Sequence, residues 1–266
     1  HLQVSSGNRR VWSSCPGEAF VTFTTGESTV EESRGFFTIA DAQAPVSGVQ
    51  TVEALHAGAQ DGSARLSGRT GRDGSLSWWI DFVAIDDAQL QMTVTIDHAF
   101  SGEPRTGLCS ALSSDARVFG MGTQCTHVDL RGRTVDALTQ EPGIGRGVQP
   151  LTWLMNAAFG AGGGDTRSSA PAPHYLTSDC TSMCLENHEL SRFDFTGFDR
   201  VVCEVWSSML VARVFAGDTP AAHIEAYTRF SGRMPALPDW MQTGAIVGMQ
   251  GGTDKARAMW AALKEA

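Results

Sequence analysis

Residues 76–96 read LSWWIDFVAIDDAQLQMTVTI. In the second half, Leu90, Met92, Val94 and Ile96 fall on one side, and Gln91, Thr93 and Thr95 on the other. That period of two is the mark of a half-buried strand. Leu76–Ile85 reads as the partner strand. Asp86-Asp87 between them suits a tight hairpin turn, because aspartate side chains bond the backbone two residues on.

Working outward, Ala19–Thr24 alternates and Gly35–Ile39 is a short aromatic strand. Glycine-rich breaks at 58–62 and 68–74 mark turns. After the centre of the chain, His174–Leu176, Arg192–Phe198, Val201–Trp206 and Met209–Phe215 read as further strands. No helical run of useful length is expected before residue 218. Short strands punctuated by turns predict a mainly β chain, an antiparallel sandwich or barrel of sheets. The class changes at Gly217-Asp218-Thr219-Pro220, a capped helix start. That helix carries Ile224, Tyr227 and Phe230 and ends near Gly232. Thr243–Met249 (TGAIVGM) is apolar enough for a strand buried on both faces. Gly251-Gly252 turns it, and Asp254–Ala266 is helical, with Ala256, Met259, Trp260 and Leu263 on one side.

Composition narrows the function. The 266 residues hold 42% hydrophobic side chains, enough for a sizeable core. The net charge of −9 argues against nucleic acid or an anionic membrane as partner. No apolar run reaches the roughly 18 residues that a bilayer-crossing helix needs. Residues 1–12, HLQVSSGNRRVW, lack a signal-peptide core, although His1 leaves a processed start open. Cysteines stand at 15, 109, 125, 180, 184 and 203. Their irregular spacing makes a reduced, cytoplasmic protein the simpler expectation. Cys180, Cys184 and His188, with Cys203, could be pressed into a zinc site. Ordinary thiols are the favoured reading, and no metal or other cofactor is expected. The glycines at 160 and 162–164 lack the Gly-Lys-Ser/Thr that a phosphate loop requires.

Val118–Gly147, VFGMGTQCTHVDLRGRTVDALTQEPGIGRG, has a brief strand signal and then no period. A loop of that length inside a compact domain is usually functional or disordered, and its mixed polar groups favour the functional reading. His127, Asp129 and Arg131 alternate. They read either as a structural charge network or as side chains lining a site. Gly143, Gly145 and Gly147 alternate too, without the strand-turn-helix of a nucleotide motif.

The segment VFGMGTQCTHVDLRGRTV resembles the glycine-rich stretch of glycoside hydrolase family 31. GDTPAAHIEAYTRFSGRMPALPDW resembles that family's run into its catalytic barrel. THVDLRG followed by QEPGIGRG is most similar to the sulfoquinovosidase branch, whose substrates are α-glycosides of 6-sulfonated glucose. Thr123 departs from the acidic residue often found there in the wider family. The resemblance implies a galactose-mutarotase-like antiparallel β-sandwich over residues 1–235, followed by the first βα unit of a (β/α)8 barrel over 236–266. It implies a retaining α-glycosidase with two aspartates about 5 Å apart. Both lie beyond these residues, so no catalytic residue is assigned and this stretch alone is expected to be inactive. The implied partner is a small-molecule carbohydrate. Gln250, at a barrel-strand end, is a candidate sugar contact, or else a residue suited to the bend. Gln140, Glu141 and Arg146 are candidates in a loop over the barrel mouth. Arg146 could grip an anionic group, or be held by Glu141 or Asp136. Met259, Trp260 and Leu263 are expected to form an exposed stripe. A neutral-sugar α-glucosidase is one alternative. A carbohydrate-binding sandwich is the other, with Trp78, Trp79, Trp153 or Trp206 stacking on sugar rings.

Overall fold

A computed structural model describes residues 2–6, 9–99 and 101–265. The chain divides into two compact units, residues 1–230 and 231–266.

The first unit is mainly β. Its strands are β1 (Gln3–Ser6), β2 (Arg9–Ser13), β3 (Val21–Ser33), β4 (Phe36–Pro45), β5 (Thr51–Ala57), β6 (Ser63–Thr70), β7 (Leu76–Asp86) and β8 (Gln89–Asp97). After these come β9 (Glu103–Ala111), β10 (Val118–Gly120), β11 (Thr134–Ala137), β12 (His174–Thr177), β13 (Ser182–Leu185), β14 (Ser191–Asp194), β15 (Arg200–Val205) and β16 (Met209–Phe215). The helices of this unit are α1 (Pro150–Phe159) and α2 (Pro220–Ser231). One sheet has eight strands in the order β10-β12-β13-β16-β8-β7-β6-β5, and the other six, β11-β14-β15-β9-β3-β4. β1 and β2 pair separately. Every strand ladder among the described residues is antiparallel.

The hairpin at 76–96 forms as its alternation predicts. Trp78 faces Ile96, Ile80 faces Val94 and Phe82 faces Met92. The Asp86 carboxylate accepts the Ala88 amide at 2.8 Å, which fixes the turn. The buried faces of both sheets share one core, which includes Trp78, Ile80, Met92 and Val94 from one and Phe23, Leu108, Phe193 and Cys203 from the other. Phe20 meets Trp78 edge-on at 5.5 Å, and Tyr175 meets Phe193 at 6.2 Å across the layers. Burying each of these large side chains stabilises the fold by about 1.5–3 kcal/mol.

Among the described residues two arginines are buried, Arg105 and Arg213. Arg105 on β9 is fully buried and reaches Asp41 at 2.8 Å and Glu103 at 2.9 Å. Its guanidinium lies 4.7 Å from the centre of the Trp206 ring. Burial pushes the Asp41 carboxyl up, but bonds from Arg105 and Gln43 and the Arg105 charge outweigh it and hold the group below its ordinary value.

Three expectations need correction. A helix does precede residue 218: α1 has Pro150 in its first turn and Gly160 in the left-handed conformation at its end. It has no charged residue and no apolar stripe facing a core, so periodicity gives no sign of it. The cysteines are not all thiols, because Cys15 and Cys109 form a disulfide between the β2 end and β9. Bonds of this kind persist in oxidising compartments. Cys184 and Cys203 are buried in different sheets, and burial pushes the Cys184 thiol up to about 12 and raises that of Cys203. Among the described residues no group of three or more His, Cys, Asp or Glu could hold a metal ion. Finally, the expected strand Thr243–Met249 does not form: Thr243 ends a short helix and residues 244–249 are irregular. A strand exists through its ladder, and this segment has no strand to pair with.

Helix α2 is capped by Thr219, whose hydroxyl accepts the Ala222 amide at 3.2 Å. It buries His223 and Ala226 against the sheet rather than Ile224, which is exposed. In the second unit, α3 (Asp239–Thr243) and α4 (Thr253–Glu265) flank the irregular segment. Met259, Trp260 and Leu263 on α4 are exposed. Ala266, the last residue of the expected helix, lies outside the described residues. No helix among them is long and apolar enough to cross a membrane.

His174 on β12 stacks on Tyr227 of α2 at 3.9 Å, and its Nε2 meets the Ser182 hydroxyl at 2.8 Å. Burial, with the nearby His223, pushes the imidazole down from 6.5 to about 4. In the unfolded chain the ring takes its proton near 6.5, so between these values the unfolded state binds more protons. This contribution is therefore full above 6.5 and is lost as pH falls towards 4. Urea unfolding is expected to show about 3 kcal/mol of stability lost through this group over that range. A His174→Phe variant should lose most of that drop, and an unchanged profile in the variant would exclude His174 as its source.

Candidate functional site

The loop between β10 and β12 holds the candidate residues. Its stems join both sheets, because β10 and β12 pair in the eight-stranded sheet while β11 pairs with β14 in the six-stranded one. Of the expected loop 118–147, Thr134–Ala137 is thus a strand. Arg131 ties the stems together. It donates to the carbonyls of Ser113 (3.2 Å), Ala116 (3.1 Å), Ser114 (3.1 Å) and Phe198. Asp129 accepts the amides of Val118 at 3.0 Å and Arg131 at 3.1 Å. His127 Nε2 lies 2.7 Å from Asp165 Oδ2, which also accepts from Arg133 at 3.1 Å. These three alternating residues hold the loop's own backbone and its far limb, which favours their structural role.

From residue 139 the chain forms a closed lobe. Thr139 bridges Ser168 and Ile144 bridges Gly162, both in parallel. Gly143, Gly145 and Gly147 are all left-handed, at φ 77°, 73° and 60°. A β-carbon on Gly163 would lie 2.0 Å from the Gly145 carbonyl oxygen, and one on Gly145 would lie 2.4 Å from the Thr152 hydroxyl. The glycines thus let two backbones and α1 touch where no other residue fits.

Three of the sequence candidates sit on this lobe. Gln140 donates its amide to Ser168 O at 3.0 Å and accepts the Phe37 amide on Oε1 at 3.4 Å. Glu141 donates its amide to Gly35 O at 2.9 Å. Its side chain is exposed, and among the described residues its carboxylate has no hydrogen-bond or ion-pair partner. Arg146 is not held by Glu141 or Asp136. Its Nη1 donates to the Arg167 carbonyl at 3.1 Å, and Asp136 pairs with Arg192 at 2.7 Å. The lobe therefore presents an unpaired carboxylate and a guanidinium with no carboxylate partner among the described residues. A polyhydroxylated or anionic ligand needs such groups. Gln250 is exposed in the second unit and is not part of this lobe.

Other candidates are committed elsewhere. Trp78 is buried, Trp79 lies 5.3 Å from Arg65, and Trp206 is flanked by Arg105 and Arg192. Trp153 on α1 is 72% exposed and so keeps a free face. A cavity of about 650 Å³ near Thr139 is lined by Glu186, Asn187, His188 and Glu189. Glu186 is engaged by Arg213 at 2.8 Å and Gln91 at 3.0 Å, and Asn187 by the Val211 amide at 2.8 Å. Two of its polar walls are thus already engaged by the sheet. Sequence reading missed Arg34-Gly35 and Arg167, which contact the lobe from other parts of the chain. Only the repeated glycines at 143–147 and 162–164 hinted at the lobe's closure.

No family model matches the chain. Among curated proteins it is 30% identical over 252 residues to a sulfoquinovosidase of Agrobacterium fabrum, covering 94% of this chain and 36% of that protein. Over almost all of its length the chain resembles part of a sulfoquinovosidase. An Escherichia coli sulfoquinovosidase is 28% identical over 184 residues, 69% of this chain and 27% of that protein. The chain thus spans about a third of the curated relatives' length. A family 31 sulfoquinovosidase from E. rectale, solved with an aza-sugar inhibitor, superposes with a TM-score of 0.78. That match has 22% identity and covers 99% of this chain and 38% of the other. A cycloalternan-forming enzyme from Listeria monocytogenes matches at 0.55 with 12% identity, over 86% of this chain and 30% of that one. These likenesses show the fold, a mainly β region shared with family 31 enzymes.

A Gly163→Ala variant is expected to open the lobe, since its β-carbon has no room against Gly145. Amides of Ile144 and Gly163, bonded to Ala161 O and Ile144 O at 2.9 Å each, should then exchange about tenfold faster or more, for a loss of about 1–3 kcal/mol. Unchanged protection would show that the glycine contact is dispensable.

Proposed function

We propose that this chain is the substrate-shaping part of a retaining α-glycosidase that hydrolyses α-glycosides of 6-sulfonated glucose. The observation that carries the proposal is the 252-residue likeness to a sulfoquinovosidase, with the lobe falling inside the likeness. The chemistry needs two aspartates about 5 Å apart on either side of the anomeric carbon. In this reading they lie on the remainder of a (β/α)8 barrel that residues 236–266 begin, after a sandwich of residues 1–235. The segment 243–249 would gain its ladder from the next barrel strands. Gln250 would then stand at a strand's C-terminal end, where barrel active sites are built.

In this reading the lobe lies over the barrel mouth. Gln140 and Glu141 take sugar hydroxyls, and Arg146 faces the sulfonate. An anion bonded to a guanidinium gains about 1.5–3 kcal/mol over a neutral group. That difference separates a sulfonated glucoside from glucose. The carbohydrate-binding alternative rests on Trp153, whose exposed indole could stack on a sugar ring without any barrel. For the compartment, the free thiols at 125, 180, 184 and 203 support the cytoplasm, and the Cys15–Cys109 bond supports an oxidising space. The redox state of that pair in protein isolated from cells decides between them.

The test is hydrolysis of nitrophenyl α-sulfoquinovoside and nitrophenyl α-glucoside by the full-length protein. The sulfonated substrate should be preferred, and Arg146→Ala should lower its kcat/KM by about 10- to 100-fold while moving the glucoside by about threefold or less. Equal or better turnover of the glucoside would sink the sulfonate assignment. Binding without hydrolysis of either would favour the sugar-binding module.

A further inference from the structure

The hairpin of β3 and β4 is longer than its sheet requires. β3 pairs with β9 only over Val21–Gly26, whereas it pairs with β4 from Thr24 to Ser33. Beyond residue 26 the hairpin is a two-stranded arm with mostly exposed side chains. Isolated ribbons of this kind are marginal in water, so the arm needs a contact at its far end. The contact is the lobe. Arg34 and Gly35 form the tip, both left-handed at φ 58° and 81°. The Glu32 carboxylate accepts the Gly35 amide at 2.7 Å and closes the turn.

From that tip three bonds reach the lobe. Gly35 O accepts the Glu141 amide at 2.9 Å, and Arg34 Nη1 donates to Phe159 O at the end of α1 at 2.7 Å. Just behind the tip, the Phe37 amide donates to the Gln140 side chain at 3.4 Å. The Phe36 ring lies 5.2 Å from the Arg167 guanidinium, and Arg167 O is the acceptor that holds Arg146. Gly35 also sits against the Glu141 side chain. A β-carbon there would come within 2.8 Å of Glu141 Cγ. The tip therefore fixes the backbone of Glu141, the acceptor of Gln140 and the direction in which the Glu141 carboxylate leaves the chain.

We propose that the hairpin tip Arg34-Gly35 positions Glu141, and through it sets how tightly the sugar is bound. Arg34 and Gly35 are positioning residues. They touch the lobe and not the sugar. The proposal rests on the reading of Glu141 as a sugar contact, and it adds a remote strand pair to the determinants of affinity. The arm also bounds a cleft of about 630 Å³ with Glu31, Phe36, Asn156 and Arg167 on its walls.

Full-length Gly35→Ala is the direct test, with Gly74→Ala as control. Gly74 is left-handed at φ 68° with open space around it, so its substitution brings the same backbone strain without the contact. Gly35→Ala is expected to speed exchange of the Glu141 amide about tenfold and to raise KM for the sulfonated glycoside about tenfold, with kcat within about twofold. Gly74→Ala should do neither. Should Gly35→Ala not fold, Arg34→Gly serves, because glycine takes φ 58° without strain. It removes the bond to Phe159 and should move exchange and KM in the same direction. Exchange and KM no different from those of Gly74→Ala would overturn the proposal. A separate Glu141→Gln variant with unchanged KM would overturn the sugar reading on which it rests, even with the exchange effect intact.

Discussion

The candidate site depends on one contact that only glycine permits. Gly163 lies so close to the Gly145 carbonyl that a β-carbon would overlap it at 2.0 Å. That approach closes residues 139–168 into a lobe, and α1 packs onto it through Thr152. Without the closure, Gln140, Glu141 and Arg146 would lie on a long flexible connection, where ordering each residue costs about 1–2 kcal/mol. With it, that entropy is lost on folding, and a ligand meets groups already in place.

The sandwich makes the lobe possible from below. Its stems enter from both sheets, and Arg131 binds four carbonyls across the junction. The six-stranded sheet adds the second support, by sending out the β3–β4 arm. Arg105, sealed beneath Trp206 with Asp41 and paired also with the exposed Glu103, ties the base of that arm to β9. Removing one partner from a buried pair leaves a charge without solvent, a cost of about 3–5 kcal/mol. The arm is thus rigid at its root and latched at its tip. In the proposed reading an antiparallel sandwich lends a sugar site its contact surface in this way, while the reaction itself belongs to the proposed barrel.

Much of this was legible in the residues. Alternation at 90–96 placed a strand and its buried face, and Asp86-Asp87 placed the turn. The QEPGIGRG stretch pointed to Gln140, Glu141 and Arg146, which do share one lobe. What could not be read were features that depend on partners distant in sequence. Helix α1 has no amphipathic stripe, because it packs on a loop and not on a core. The Cys15–Cys109 bond joins residues 94 apart, and spacing alone does not pair them. The strand expected at 243–249 has the right composition, but composition cannot supply a neighbour to bond. Arg34-Gly35 looks like an ordinary hairpin turn, and its role appears only when the arm meets Glu141.

The central claim is that the lobe holds Glu141 and Arg146 against the sugar. The most direct measurement is a crystal structure of the full-length protein with a non-hydrolysable 6-sulfonated glucoside bound. The account predicts the Glu141 carboxylate on a sugar hydroxyl and the Arg146 guanidinium on the sulfonate, each at about 2.7–3.0 Å. A sugar bound beyond about 6 Å from both side chains, with the lobe closed as described, would contradict it.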